Sequence, residues 1–106
     1  MVQIIEILKA GRERRSVEAG NPKKDPDAVL KKEKIDEEVA AEYGMSAKEL
    51  QWLRGVSTVL RDRRLELTNT NFAKEIDNNI RELQPNPIHA ETVTMLVSLK
   101  KKVEIL

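Results

Sequence analysis

Arg54 and Arg61 stand seven residues apart, two turns of a helix, and so share one edge of it, with Arg64 close by. Guanidinium groups repeated at that interval suit phosphate oxygens, which they contact without reading bases. Further cations gather in blocks: Arg12, Arg14 and Arg15; Lys23 and Lys24; Lys31, Lys32 and Lys34; and Arg63. The expected nucleic-acid contacts are Arg54, Arg61 and Arg64, then Lys31, Lys32 and Lys34, with Arg12 and Arg15. An opposing block, Asp36, Glu37, Glu38 and Glu42, repels phosphate and is free to meet a protein neighbour, with Glu37, Glu38 and Trp52 as the expected protein contacts. The net charge of +1 conceals this pattern. Residues 9–34 hold nine cations against five anions, residues 35–50 one against five, and residues 51–67 four against two. The local field is the better guide to partners than the whole-chain balance.

Other chemistry has little to stand on. His89 is the sole histidine and falls in the first turn after Pro87, where a solvent-facing or capping side chain is the ordinary outcome, and one histidine does not make a zinc site. With no cysteine there are neither disulfides nor thiolate metal sites. The carboxylates of residues 36–42 read as a solvated helix face rather than a cage for a hard cation. No Gly-rich phosphate loop is present, and no Ser, His and acid set can be assembled. The expectation is a protein that is not an enzyme, with no metal and no cofactor.

These side chains need helices to carry them. Charged residues make up 35% of the 106 and aromatics 3%, with one Phe, one Trp and one Tyr, so the core must come from Leu, Ile, Val, Ala and Met. That mixture suits helix on helix, and the length suits a single domain over residues 1–106. The firmest local signal is Gly44-Met45-Ser46-Ala47-Lys48-Glu49-Leu50. Gly44 can stop a helix in the left-handed conformation. Ser46 and Glu49 form a capping box for the next helix, and Met45 and Leu50 a hydrophobic staple. Two helices therefore meet at a tight corner.

The spacing predicts a helix over residues 2–10 burying Val2, Ile5 and Leu8 with Ile4 beside them, weakened at Gly11. A polar loop follows at about 20–27, where Gly20, Pro22 and Pro26 leave nothing apolar to bury. Asp25 and Pro26 restart a helix running to Tyr43, with Val29, Ile35, Val39 and Tyr43 inward. From Ala47 a long helix reaches about Leu67 along Leu50, Leu53, Val56 and Leu60, and tolerates Gly55 at a cost of about 1 kcal/mol relative to Ala. Phe72, Ile76, Ile80 and Leu83 mark the next amphipathic helix after the polar break at residues 68–71. Pro85-Asn86-Pro87 ends it and starts the last, which buries Ile88, Leu96, Leu99, Val103 and Leu106. The β-rich run from Thr92 to Val97 has no strand to pair with, so helix prevails there. The fold class is all-α, a single bundle of four or five helices. Val2 to Leu8 is too short to span a bilayer and carries Glu6, which gives the expectation of a soluble, cytoplasmic protein.

Residues 36–55 resemble helix-turn-helix DNA-binding domains. Val39 and Ala40 supply the apolar and small residues of the first helix, Gly44 and Met45 the turn, and Leu50 and Leu53 hold the second helix down. The resemblance implies that Ala47, Lys48, Gln51, Trp52 and Arg54 face the groove. In size, helicity and lack of catalytic residues the chain is similar in type to the small helical subunits of CRISPR effector complexes. That resemblance implies a non-catalytic accessory subunit touching the nucleic-acid backbone with a basic face and a neighbouring protein with an acidic one. Its partners would be nucleic acid and other protein subunits, a second copy of the chain among them, with neither a membrane nor a small-molecule substrate. A sequence-specific helix-turn-helix protein is the alternative. A protein-interaction module using Trp52 and Val103-Glu104-Ile105-Leu106 is the third class.

Overall fold

The computed structural model describes the backbone of residues 2–18 and 28–106, and the side chains of these outside 15–32. The chain forms α1 (Ile4–Glu18), α2 (Ala28–Glu42), α3 (Ala47–Asp62), α4 (Asn69–Leu83), a single 3-10 turn (Pro87–His89) and α5 (Ala90–Ile105). Among the described residues there is no strand, and the molecule is an all-α bundle. No helix among them is long and apolar enough to cross a membrane. The polar stretch expected at about 20–27 lies outside the described residues, as do Asp25 and Pro26.

Local signals build the corner between α2 and α3 as expected. Gly44 takes φ +71°, and its N–H and that of Met45 return to the carbonyls of Ala41 and Ala40, closing a Schellman motif. Ser46 Oγ accepts from the Glu49 N–H at 3.3 Å, and Glu49 Oε1 accepts from the Ser46 N–H at 3.0 Å. Met45 and Leu50 are both buried beside this box.

α3 is the hub, packing against α1, α2, α4 and α5, while α4 and α5 form their own pair. Its Leu50, Leu53, Val56 and Leu60 join Ile4, Ile7, Ile35, Val39, Phe72, Ile76, Leu96, Leu99 and Val103 in one core. The buried face of α1 differs from the expected one: Ile4 and Ile7 are fully enclosed with Leu8, while Val2 and Ile5 are half-buried. The cause lies far along the chain. Asn69, the first residue of α4, accepts the Ile4 N–H and donates to the Val2 carbonyl, both at 2.8 Å, which fixes how α1 is turned about its axis. α1 also continues through Gly11, which is buried, to Glu18.

α3 stops at Asp62, short of the expected Leu67. Arg64 adopts φ 58°, and the N–H groups of Arg64 and Leu65 return to the carbonyls of Arg61 and Leu60, so a second Schellman motif forms with arginine in the position glycine usually takes. The left-handed conformation costs a residue bearing a Cβ about 1–2 kcal/mol, of which glycine's larger entropy in the unfolded chain would cancel part. Arg64→Gly is therefore expected to raise stability by about 0.5–1 kcal/mol while Arg64→Ala gains nothing, read from urea midpoints; equal effects of the two would contradict the left-handed turn. Leu67 instead precedes the Thr68 N-cap of α4 and stands, half-buried, at the staple position opposite Phe72. Ile88, expected on the buried side of the last helix, is 81% exposed. The 3-10 turn has three residues per turn, so Ile88 falls out of phase with the buried side of α5.

Candidate nucleic-acid interface

Because α1 lies against α3, Lys9 and Arg12, three residues apart on α1, come beside Arg54, Thr58 and Arg61, which repeat at steps of four and three on α3. Together with Ser57 and an apolar floor of Ile5 and Leu8 they line a recess of about 190 Å³. Four cations thus converge on one small concavity. Lys9, Arg12 and Arg61 are exposed and form no ion pair with any carboxylate among the described residues. The hydroxyls of Ser57 and Thr58 both donate to the Arg54 carbonyl, at 2.7 and 3.3 Å, leaving the exposed Thr58 oxygen as an acceptor at the rim.

Arg54 has a further task. Its Nη2 donates to Asp36 Oδ2 at 2.7 Å, and the Asp36 side chain is only 4% exposed against 33% for Arg54. The pair joins α2 to α3. Removing the guanidinium would take a charged hydrogen-bond donor from an enclosed carboxylate, which is costly whatever else Arg54 does. Substituting Arg54 is consequently a poor probe of binding.

The other cations disperse. Arg14 bridges Glu38 and Glu42 at 2.9 and 3.2 Å, so the acidic side of α2 is partly neutralised from within, while Glu37 stays exposed. Arg63 holds Glu75 at 2.9 Å, Lys100 holds Asp77 at 3.1 Å, and Lys102 holds Glu49 at 2.8 Å. Arg64 is exposed beyond the end of α3, not on its edge, and Lys34 is exposed on α2. The side chains of Arg15, Lys31 and Lys32, together with Lys23 and Lys24, lie outside the described residues. Among the described residues, then, the basic side chains do not form one continuous flank. The carboxylates of residues 36–42 do not converge either: Asp36 turns to Arg54, and Glu38 and Glu42 turn to Arg14.

On the opposite side of α3, Lys48, Gln51, Trp52, Val59, Asn79 and Met95 border a wider groove of about 550 Å³ against α4 and α5. Trp52 is half-buried, and its Nε1 donates to Asn79 Oδ1 at 2.9 Å. Asn79 in turn donates to Glu75, which also accepts from Arg63, so the indole is fixed by a chain of polar contacts. Of the residues implied by the helix-turn-helix resemblance, Lys48 and Gln51 are exposed, Ala47 and Trp52 are half-buried, and Arg54 points to the other side of the helix.

Lys9 and Thr58 also line the recess, and neither is among the contacts expected from the sequence. The signal for Lys9 was its three-residue spacing from Arg12, which counts only if one helix runs through Gly11. Fold and recess together define the class: a small all-α bundle with a cationic cleft between its first and third helices. Compared with known protein families, with curated proteins and with solved structures, the chain finds no match.

Proposed function

We propose that the protein binds the phosphate backbone of nucleic acid in the α1–α3 cleft, as a non-catalytic accessory subunit of a nucleoprotein assembly. The observation that carries this reading is the set of three exposed cations, Lys9, Arg12 and Arg61, without acidic partners among the described residues and gathered around one recess. Three cations without a carboxylate partner among the described residues favour a polyanion, and backbone contact alone gives no sequence preference. The exposed carboxylates of α2, Glu37 above all, remain for a neighbouring protein subunit. The role proposed is of the same type as that of the small helical subunits of CRISPR effector complexes.

The test is a salt titration of binding to unrelated oligonucleotides by the intact chain and by a Lys9→Ala, Arg12→Ala, Arg61→Ala variant. Loss of three phosphate contacts is expected to flatten the slope of log affinity against log salt by about 2–3, equally for all sequences. Absence of measurable affinity in the intact chain would leave the protein-interaction reading in its place. A loss confined to particular sequences on changing Gln51 or Lys48 would favour the helix-turn-helix reading.

A further inference from the structure

We infer that the ligand is single-stranded nucleic acid that crosses α3 at Gly55, with phosphates in the α1–α3 cleft and a base stacked on Trp52 in the groove on the helix's other side. This rests on the cleft being a phosphate site and adds the substrate class.

Gly55 lies in the middle of α3, exposed, and a Cβ built on it meets nothing within 4 Å. Neither close packing nor an unusual φ requires glycine there among the described residues, although glycine weakens a helix interior. What a missing side chain does provide is close approach of an external group to the backbone. At 100° per residue Gly55 shares the solvent ridge of α3 with Gln51 and Thr58. Arg54 and Arg61 flank that ridge on one side, Trp52 and Val59 on the other. The glycine is a low saddle between the cationic cleft and the apolar groove.

The two sides match the two ends of a nucleotide. Trp52 is held by Asn79 through its N–H, so it offers a fixed π-surface rather than a donor. The carboxylate bordering that groove, Glu75, is 7% exposed and engaged by Arg63 and Asn79, so it presents little repulsion. Lys48, exposed and without an ion pair among the described residues, adds a cation at the rim. A helix with side chains is about 10–12 Å across, a width that two successive nucleotides of an extended strand can cross where the ridge is bare. Duplex keeps its bases stacked inside and would have to unstack to reach the indole, whereas a single strand offers each base face freely. An apolar peptide would fill the groove but has no use for the cations beyond the saddle.

Trp52 is the sole tryptophan, so its emission reports directly on the groove. A labelled twelve-residue oligothymidylate is expected to quench that emission and to bind more tightly than a duplex of equal length at the same salt. Gly55→Leu should weaken single-strand binding about tenfold or more without lowering the midpoint of thermal unfolding, and Trp52→Leu should weaken it about tenfold without changing the salt slope. Equal binding of duplex and single strand, no quenching, or full affinity in folded Gly55→Leu would overturn the inference. If the Lys9, Arg12 and Arg61 variant still lost affinity in that case, the phosphate cleft would stand alone. If no oligonucleotide bound at all, both would fall.

Discussion

Phe72→Ala is expected to lower the unfolding free energy by about 3–5 kcal/mol, the largest effect of any single truncation in this chain. Phe72 is the one phenylalanine, fully enclosed on α4 in the common core, and it is the largest of the completely buried side chains among the described residues. Its removal leaves a cavity in a core otherwise made of aliphatic groups, which cannot swing in to fill it because their rotamers are already set by packing. The same change deletes one half of the staple that Leu67 makes at the start of α4, and so loosens the Thr68 cap. Small domains hold only about 5–15 kcal/mol in reserve, so the melting temperature should fall by roughly 15–30 °C. Urea unfolding followed by Trp52 fluorescence measures it. Phe72→Leu, which keeps most of the volume, should cost about 1–2 kcal/mol. A loss below about 1 kcal/mol for the alanine variant would mean that the core around α4 is not packed as described.

Glu49→Ala is expected to cost about 2–3 kcal/mol, although Glu49 belongs to a residue type that usually faces water. Its side chain is 7% exposed and accepts from both the Ser46 N–H at 3.0 Å and Lys102 Nζ at 2.8 Å. One carboxylate therefore closes the N-terminal turn of α3 and ties that turn to the last turn of α5. The capping part is worth about 1 kcal/mol and the charged hydrogen bond about 1.5–3 kcal/mol. The second part is reduced because Lys102, 32% exposed, recovers water once released. Glu49→Gln retains an acceptor for Ser46 and should cost about 1 kcal/mol less than the alanine variant. Midpoints of urea unfolding at low and high salt distinguish the contributions. Identical losses for Gln and Ala would show that the cap contributes nothing and that the ion pair carries the whole effect.

Whatever is settled within a few residues was legible in the sequence. The corner at Gly44–Leu50 needs a glycine, a short hydroxyl, a glutamate three later and two flanking apolar groups, all present in one heptapeptide. The stripes of α3 and α4 repeat at steps of three and four, so their buried faces were readable from spacing alone. α5 was readable even across its β-branched run, since no other segment could pair with a strand. The end of α3 was not, because Leu67 continues the stripe in phase and the residue that stops the helix is an arginine rather than a glycine.

The sequence by itself determined the all-α class, the corner, the faces of α3 and α4 and the presence of basic and acidic blocks, because each depends on propensity and periodicity that act over one or two turns. Only the tertiary structure decided which cations remain available. Arg54 meets Asp36 across 18 residues, Lys102 meets Glu49 across 53, and Asn69 clasps the start of α1 across 65 to 67. A lysine or arginine carries no label for its carboxylate, so charge type alone permits many pairings. The rotation of α1 against α3, set by Ile4, Ile7 and the distant Asn69, selects among them and leaves Lys9, Arg12 and Arg61 facing one recess.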